Sequence, residues 1–144
     1  MQKLPHQYTV RAEGGPTGSI TTRANGLQSL EVAAPKQFDG PGDKWSPEDL
    51  LVGCAADCLI LTFRAVASAS KLDWQSLDVD AQGTLETVER VMRFTELQLT
   101  ATLEIAADES PVKATRALQK AEAACLVTNS LSTKTRLTVH ISTG

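Results

Sequence analysis

One long apolar segment constrains this chain more than any other feature: residues 46–70, SPEDLLVGCAADCLILTFRAVASAS. Ser46 offers a helix N-cap, Pro47 suits the first helical position, and Asp49 completes an S-x-x-D capping box. Glu48 and Asp49 place negative charge at the positive end of the helix dipole. Beyond them only Asp57 and Arg64 carry charge before Ser70. At ~1.5 Å per residue this helix spans roughly 35 Å, which is long for a small domain. It is apolar nearly all the way round, the pattern of a helix enclosed by the rest of its fold.

The remaining elements follow from punctuation and periodicity. Residues 7–12, 18–23 and 27–33 read as strands, separated by the turn signal GGPTG and by Ala24-Asn25-Gly26, whose Asn-Gly pair marks a hairpin. The chain is therefore expected to open with a three-stranded meander, followed by a Pro/Gly-rich loop over 35–45. Residues 76–88 and 93–106 both alternate; in the second, Phe94, Leu97, Leu99, Ala101, Leu103 and Ile105 fall largely on one face. Ser110-Pro111 repeats the cap-then-proline signal and opens a helix over 111–124, with apolar spacing at Val112, Leu118 and Ala121. LVTNSLS reads as a short further helix, and 135–142 as a last strand. The order is β-β-β-α-β-β-α-β. Strands in runs predict an α+β fold with mostly antiparallel sheets and two main helices. A length of 144 residues predicts a single domain, 1–144.

Composition narrows the function. A net charge of −3 argues against nucleic acid as a partner. His6 and His140 stand at opposite ends, and no His/Cys cluster has ligand spacing, so neither a metal nor a cofactor is expected. The first residues lack an apolar signal-peptide core, and Asp57 and Arg64 interrupt the apolar run of the long segment. The expectation is a cytoplasmic protein with no membrane span. In a reducing cytosol its three cysteines are expected to be free, buried or redox-active.

Cys54 and Cys58 lie four residues apart on one helical face and do not form a C-x-x-C pair. A disulfide between them is awkward, because both Cβ atoms tilt toward the helix N-terminus. Cys125, at the end of another helix, could reach one of them through tertiary packing. Two readings stand at this point. The thiols serve as small hydrophobes, or a reactive thiol is paired with a resolving one. Gly53, Ala55 and Ala56 around Cys54 suggest packing against a neighbouring helix. Asp57 beside Cys58 would push that thiol's pKa up.

Two segments carry a resemblance. "SPEDLLVGCAADCL" is similar to the pattern [NS]-P-E-x-L-…-C with ten residues from Glu to Cys, and "CLVTNSL" is similar to C-[PL]-[VI]-[ST]-x-[AS]-L. With the element order, these identify the chain as resembling the OsmC/Ohr family, the osmotically inducible and organic hydroperoxide resistance proteins, in its broader OsmC-like branch. The resemblance implies an intertwined homodimer. It also implies a stress-response oxidoreductase: a cysteine-based peroxidase that reduces small organic hydroperoxides and is restored by a dithiol reductant, lipoyl-type in the family. By position, Cys58 would be the peroxidatic residue and Cys125 the resolving one. Glu48 matches the acidic residue that, in the family, orients an arginine against the thiolate. Ten helical residues are ~15 Å of rise, so Glu48 is expected to serve the site across a subunit boundary or to act only at the helix start.

The arginine is where the chain departs from the family. In one subgroup it follows a Gly-Gly turn, where this chain has Pro16; in the other it precedes F-[ED]-G, where this chain has Gln37. An activating cation would come from Arg11, Arg23, Lys36 or Arg64. Phe38, Trp45, Leu59, Phe63 and Trp74 are the candidate lining of an apolar substrate pocket, with Phe38 and Trp45 preferred because they lie in a loop beside the helix start and core packing the alternative for the others. The alternative function is a low-turnover redox sensor or small-molecule binder on the same fold.

Overall fold

The computed structural model describes all residues, 1–144. It is α+β, with two three-stranded sheets and three helices. The chain divides into two compact units, Met1–Leu50 and Leu51–Gly144.

In the first unit β1 (Arg11–Glu13), β2 (Ile20–Arg23) and β3 (Leu30–Val32) form the expected antiparallel meander. Its strands are shorter than their alternation suggests. Arg11 pairs with Arg23, and beyond Arg23 the chain turns away, so residues 7–10 have no partner strand. The Asn-Gly signal makes a turn in which Leu27 N–H donates to the Ala24 carbonyl at 3.1 Å, with Gly26 at φ 77°. Only Gly26 is left-handed, so the link is a longer loop and not the two-residue hairpin form. Ser46 is fully buried; its Oγ accepts from Asp49 N–H at 3.0 Å and donates to the Asp49 carboxylate at 2.8 Å. The cap thus forms as read. It starts α1 (Pro47–Ala69), which runs unbroken to its end.

In the second unit α1 buries Ala55, Leu59, Phe63 and Ala67, one residue per turn on a single stripe. These pack with Leu97, Leu99, Ala101, Leu103 and Ile105 of β5 (Val91–Ile105), all fully buried. α2 (Pro111–Ala124) adds Ala114, Ala117, Leu118 and Ala121. Small residues on α2 let the helix lie close to the sheet. β4 (Trp74–Val88) pairs antiparallel with β5, and at Gly83 a Cβ would meet Val52 at 2.7 Å and Phe94 at 2.9 Å. Only a glycine admits both side chains there.

One pairing departs from the antiparallel expectation. β6 (Lys134–Thr143) runs parallel to β5, in register from Glu96↔Lys134 to Ile105↔Thr143. The reason is the connection: α2 and the short α3 (Leu126–Asn129) carry the chain back along the sheet, and such a crossover returns a strand parallel. By length and composition α1 is also apolar enough to cross a membrane, so the charges at Asp57 and Arg64 do not settle that question by themselves. Core helices pass the same test; α1 supplies a core stripe, but only 22% of its apolar window is buried within the chain, so the enclosure on all sides expected from its sequence is not met.

The β4–β5 hairpin turns on Glu89 and Arg90 alone, at φ 50° and 69°. Two left-handed residues are the type I′ signature, yet neither is Gly or Asn. Arg90→Gly is therefore expected to stabilise the protein by about 1 kcal/mol, read as a higher denaturant midpoint at unchanged slope.

Candidate active site

Cys58 lies on α1, one residue before the buried Leu59 and so turned to the edge of the core stripe, half-buried. Cys125 is the hinge between α2 and α3 and is 1% exposed. Local hydrogen bonds fix that hinge. Cys125 N–H donates to the Glu122 carbonyl at 3.2 Å, and its own carbonyl accepts from Asn129 N–H at 3.0 Å and from the Thr128 hydroxyl at 3.3 Å. The Asn129 amide donates to the Ala123 carbonyl at 3.0 Å. The backbone at Cys125 is extended, so the chain after it presents the N–H groups of Leu126 and Val127 to α1.

Those groups converge on Cys58. Burial is the largest influence on its thiol and pushes the pKa up. Against it act hydrogen bonds from the Cys125 thiol, from Val127 N–H, from the Thr62 hydroxyl and from Leu126 N–H, and together they hold Cys58 below the ordinary thiol value. The Thr62 contact is 3.8 Å from Oγ1 to Sγ. Cys125 moves the opposite way. Burial pushes it up, the N–H and hydroxyl of Thr128 act against this, and donation to Cys58 together with the charge there adds to the rise. The two shifts run in opposite directions, down at Cys58 and up at Cys125, which makes Cys58 the more acidic of the pair.

An open, mainly apolar cleft of about 420 Å³ gives access to Cys58, lined by Cys54, Asp57, Leu61, Thr62, Leu126 and Val127. Of the residues singled out in the sequence, Cys58 and Cys125 are brought together. Glu48 is half-buried in the first turn of α1, with Oε1 buried and lacking a hydrogen-bond partner, and it does not line this cleft. Cys54 corrects an expectation: within the chain it is exposed on the cleft, because the buried stripe runs through Ala55. Asp57 is also exposed at the cleft, and the groups that lower the Cys58 pKa are hydrogen-bond donors.

None of the five candidate lining residues lines this cleft, and for Leu59, Phe63 and Trp74 the core-packing alternative holds. Leu59 and Phe63 are fully buried core residues, and Trp74 packs edge-on against Phe63 at 5.1 Å. Phe38 and Trp45 are exposed in the first unit. None of the cations considered lines this cleft. Arg11 and Arg23 pair with Glu13 at 3.7 and 3.1 Å, the Lys36 stem lies against Gly42, and Arg64 is exposed. Thr62 was open to sequence reading, four residues after Cys58 on the same helical face. The backbone donors were not, since an N–H group leaves no mark on residue identity.

The pairing makes a direct prediction. Cys125→Ala removes the thiol donor and should raise the Cys58 pKa, so alkylation by iodoacetamide reaches its plateau at higher pH. Cys125→Ser keeps a donor and should hold the plateau nearer its original pH.

The sequence model for the family described as OsmC-like protein matches residues 40–140. An uncharacterized protein of Bacillus subtilis (strain 168), YmaD, is 24% identical over 141 residues, covering 95% of this chain and 94% of that protein. Among solved structures, an OsmC-like protein of unknown function from Vibrio cholerae superposes with a TM-score of 0.84 at 15% identity, covering 96% of this chain and 100% of the other. An organic hydroperoxide resistance protein, OsmC, of Legionella pneumophila gives 0.76 at 23% identity, covering 97% and 99%. With a family match over most of its length and the same fold in these neighbours, the chain belongs to the OsmC-like family.

Proposed function

We propose that this protein is a thiol peroxidase acting on small organic hydroperoxides. The Cys58 thiolate attacks the outer oxygen of the O–O bond. That bond breaks, Cys58 becomes a sulfenic acid, and the alkoxide leaves as the alcohol after taking a proton. The Cys125 thiol then attacks the Cys58 sulfur, forming a disulfide and releasing water. A dithiol reductant, lipoyl-type by analogy, returns both thiols and leaves as its own disulfide. One observation carries this reading: an accessible thiol of lowered pKa accepts a hydrogen bond from a buried thiol of raised pKa. The apolar cleft suits an organic rather than an inorganic peroxide.

The same reading includes a cytoplasmic homodimer in which the whole chain, 1–144, acts as one domain. Two features support the dimer: the buried, unpartnered Glu48 Oε1, and large apolar side chains left exposed, including Tyr8, Val10 and Leu61. In it Glu48 would orient a cation supplied across the subunit boundary. Sedimentation at micromolar concentration tests the stoichiometry.

A second reading, a redox sensor or binder with little turnover, is favoured by Pro16 and Gln37 standing where the family's two subgroups carry their arginine. One experiment separates the two. Reduced protein is mixed with a slight excess of cumene hydroperoxide, free thiols are counted, and any disulfide is mapped. A rapid Cys58–Cys125 bond with turnover in the presence of dihydrolipoamide supports the peroxidase. Stoichiometric oxidation without turnover supports the sensor. Survival of all three thiols sinks both.

A further inference from the structure

Away from the thiols, a groove of about 340 Å³ lies between the end of α1 and the outer face of α2. Val66, Val112 and Ala117 give it an apolar floor, and Lys113, Arg116 and Lys120 a cationic side. A neighbouring depression of about 340 Å³ shares Val112 and Arg116, so Arg116 stands between the two. None of these residues lines the cleft at Cys58.

The charges on α2 are not placed as stability alone would place them. Lys113, Arg116 and Lys120 recur at three- and four-residue spacing on one face, where like charges repel. They fill the first and middle turns, and the only acid of the helix, Glu122, sits near its C-terminal end. Lys113 in the first turn and Glu122 in the last run against the helix dipole, while Arg116 and Lys120 lie outside the terminal turns. Lys113 is partly engaged, 3.7 Å from the Glu109 carboxylate and donating to the Lys71 carbonyl at 3.2 Å. Arg116 and Lys120 form no ion pair and are exposed. The helix start itself is already satisfied, since Lys113 N–H donates to Ser110 Oγ at 3.2 Å. The unanswered charge therefore belongs to the side chains.

We propose that this groove binds an amphiphilic anion, an aliphatic carboxylate. Its head pairs with Arg116 and Lys120, and its chain lies along Val66, Val112 and Ala117. The planar guanidinium fork matches a carboxylate through two parallel hydrogen bonds, with the ammonium as a second positive charge. The volume lies at the small end of small-molecule sites and fits a single short chain.

The test is an amide NMR titration of the reduced, full-length protein with octanoate below its micelle concentration, with octanol and acetate as controls. Saturable shifts confined to residues 66–71 and 110–120 are expected. Octanol lacks the charge and acetate the chain, so each should bind about tenfold more weakly or less. The Arg116→Ala/Lys120→Ala double variant should lose at least about tenfold in octanoate affinity, and Arg116→Lys only part of that. Its unliganded Tm should not fall, because mutual repulsion is relieved. Four outcomes overturn the proposal: octanol binding as well as octanoate, undiminished binding by the double variant, shifts centred on Leu126 and Val127, or binding to anionic phosphatidylglycerol vesicles with no response to octanoate.

Discussion

Cys58→Ser is expected to abolish hydroperoxide reduction, lowering turnover by on the order of a thousandfold or more, while the protein keeps its fold. Cys58 is half-buried at the edge of the core stripe, and a hydroxyl in place of its thiol finds the same donors in Thr62 and the backbone N–H groups. Serine at neutral pH is not ionised by such contacts, so the nucleophile is lost and not merely weakened. Cys125→Ser should behave differently. Cys58 still reacts with the first equivalent of peroxide, but the sulfenic acid has no resolving thiol and proceeds to the sulfinic state on excess oxidant. Stopped-flow peroxide consumption and intact mass after one and ten equivalents distinguish the two. A Cys58→Ser protein with full turnover would remove the assignment altogether.

Phe63→Ala should be the most damaging single change to stability among those considered, costing about 3–5 kcal/mol. Phe63 is fully buried, meets Trp74 edge-on at 5.1 Å, and lies on the stripe by which α1 packs against β5. Deleting the ring removes that contact and leaves a cavity that a sheet paired strand to strand can close only in part. The measured quantity is the denaturant midpoint, with Phe63→Leu as the milder comparison. A loss under about 1 kcal/mol would mean that the core around α1 rearranges freely.

Much of the fold was legible because its signals are local. Ser46-Pro47 and Ser110-Pro111 mark helix starts through groups within one turn, and both caps form. The alternation over 93–106 follows from one face of β5 being buried, which leaves a period of two in the residues themselves. The turn at Glu89 and Arg90 was not legible, since neither residue carries the usual preference for positive φ. In the candidate site, the cysteine types and their segments were visible; Thr62 was missed, although its place four residues after Cys58 puts it on the same helical face. The exposed position of Cys54 was not legible, because its small neighbours suit close packing and a rim equally well.

By itself, then, the sequence determined the helices, the strand runs, the α+β class and the three thiols, because caps, turns and periodicity act over a few residues. Tertiary structure decided the rest. It returned β6 parallel to β5 through the α2–α3 crossover, and it set Cys125 and the N–H groups of Leu126 and Val127 against Cys58. It also left Asp57 exposed at the cleft, while hydrogen bonds from Thr62 and from the chain around Cys125 lower the Cys58 pKa. A pKa depends on what stands around a group in space, and Cys125 lies 67 positions after Cys58 along the chain.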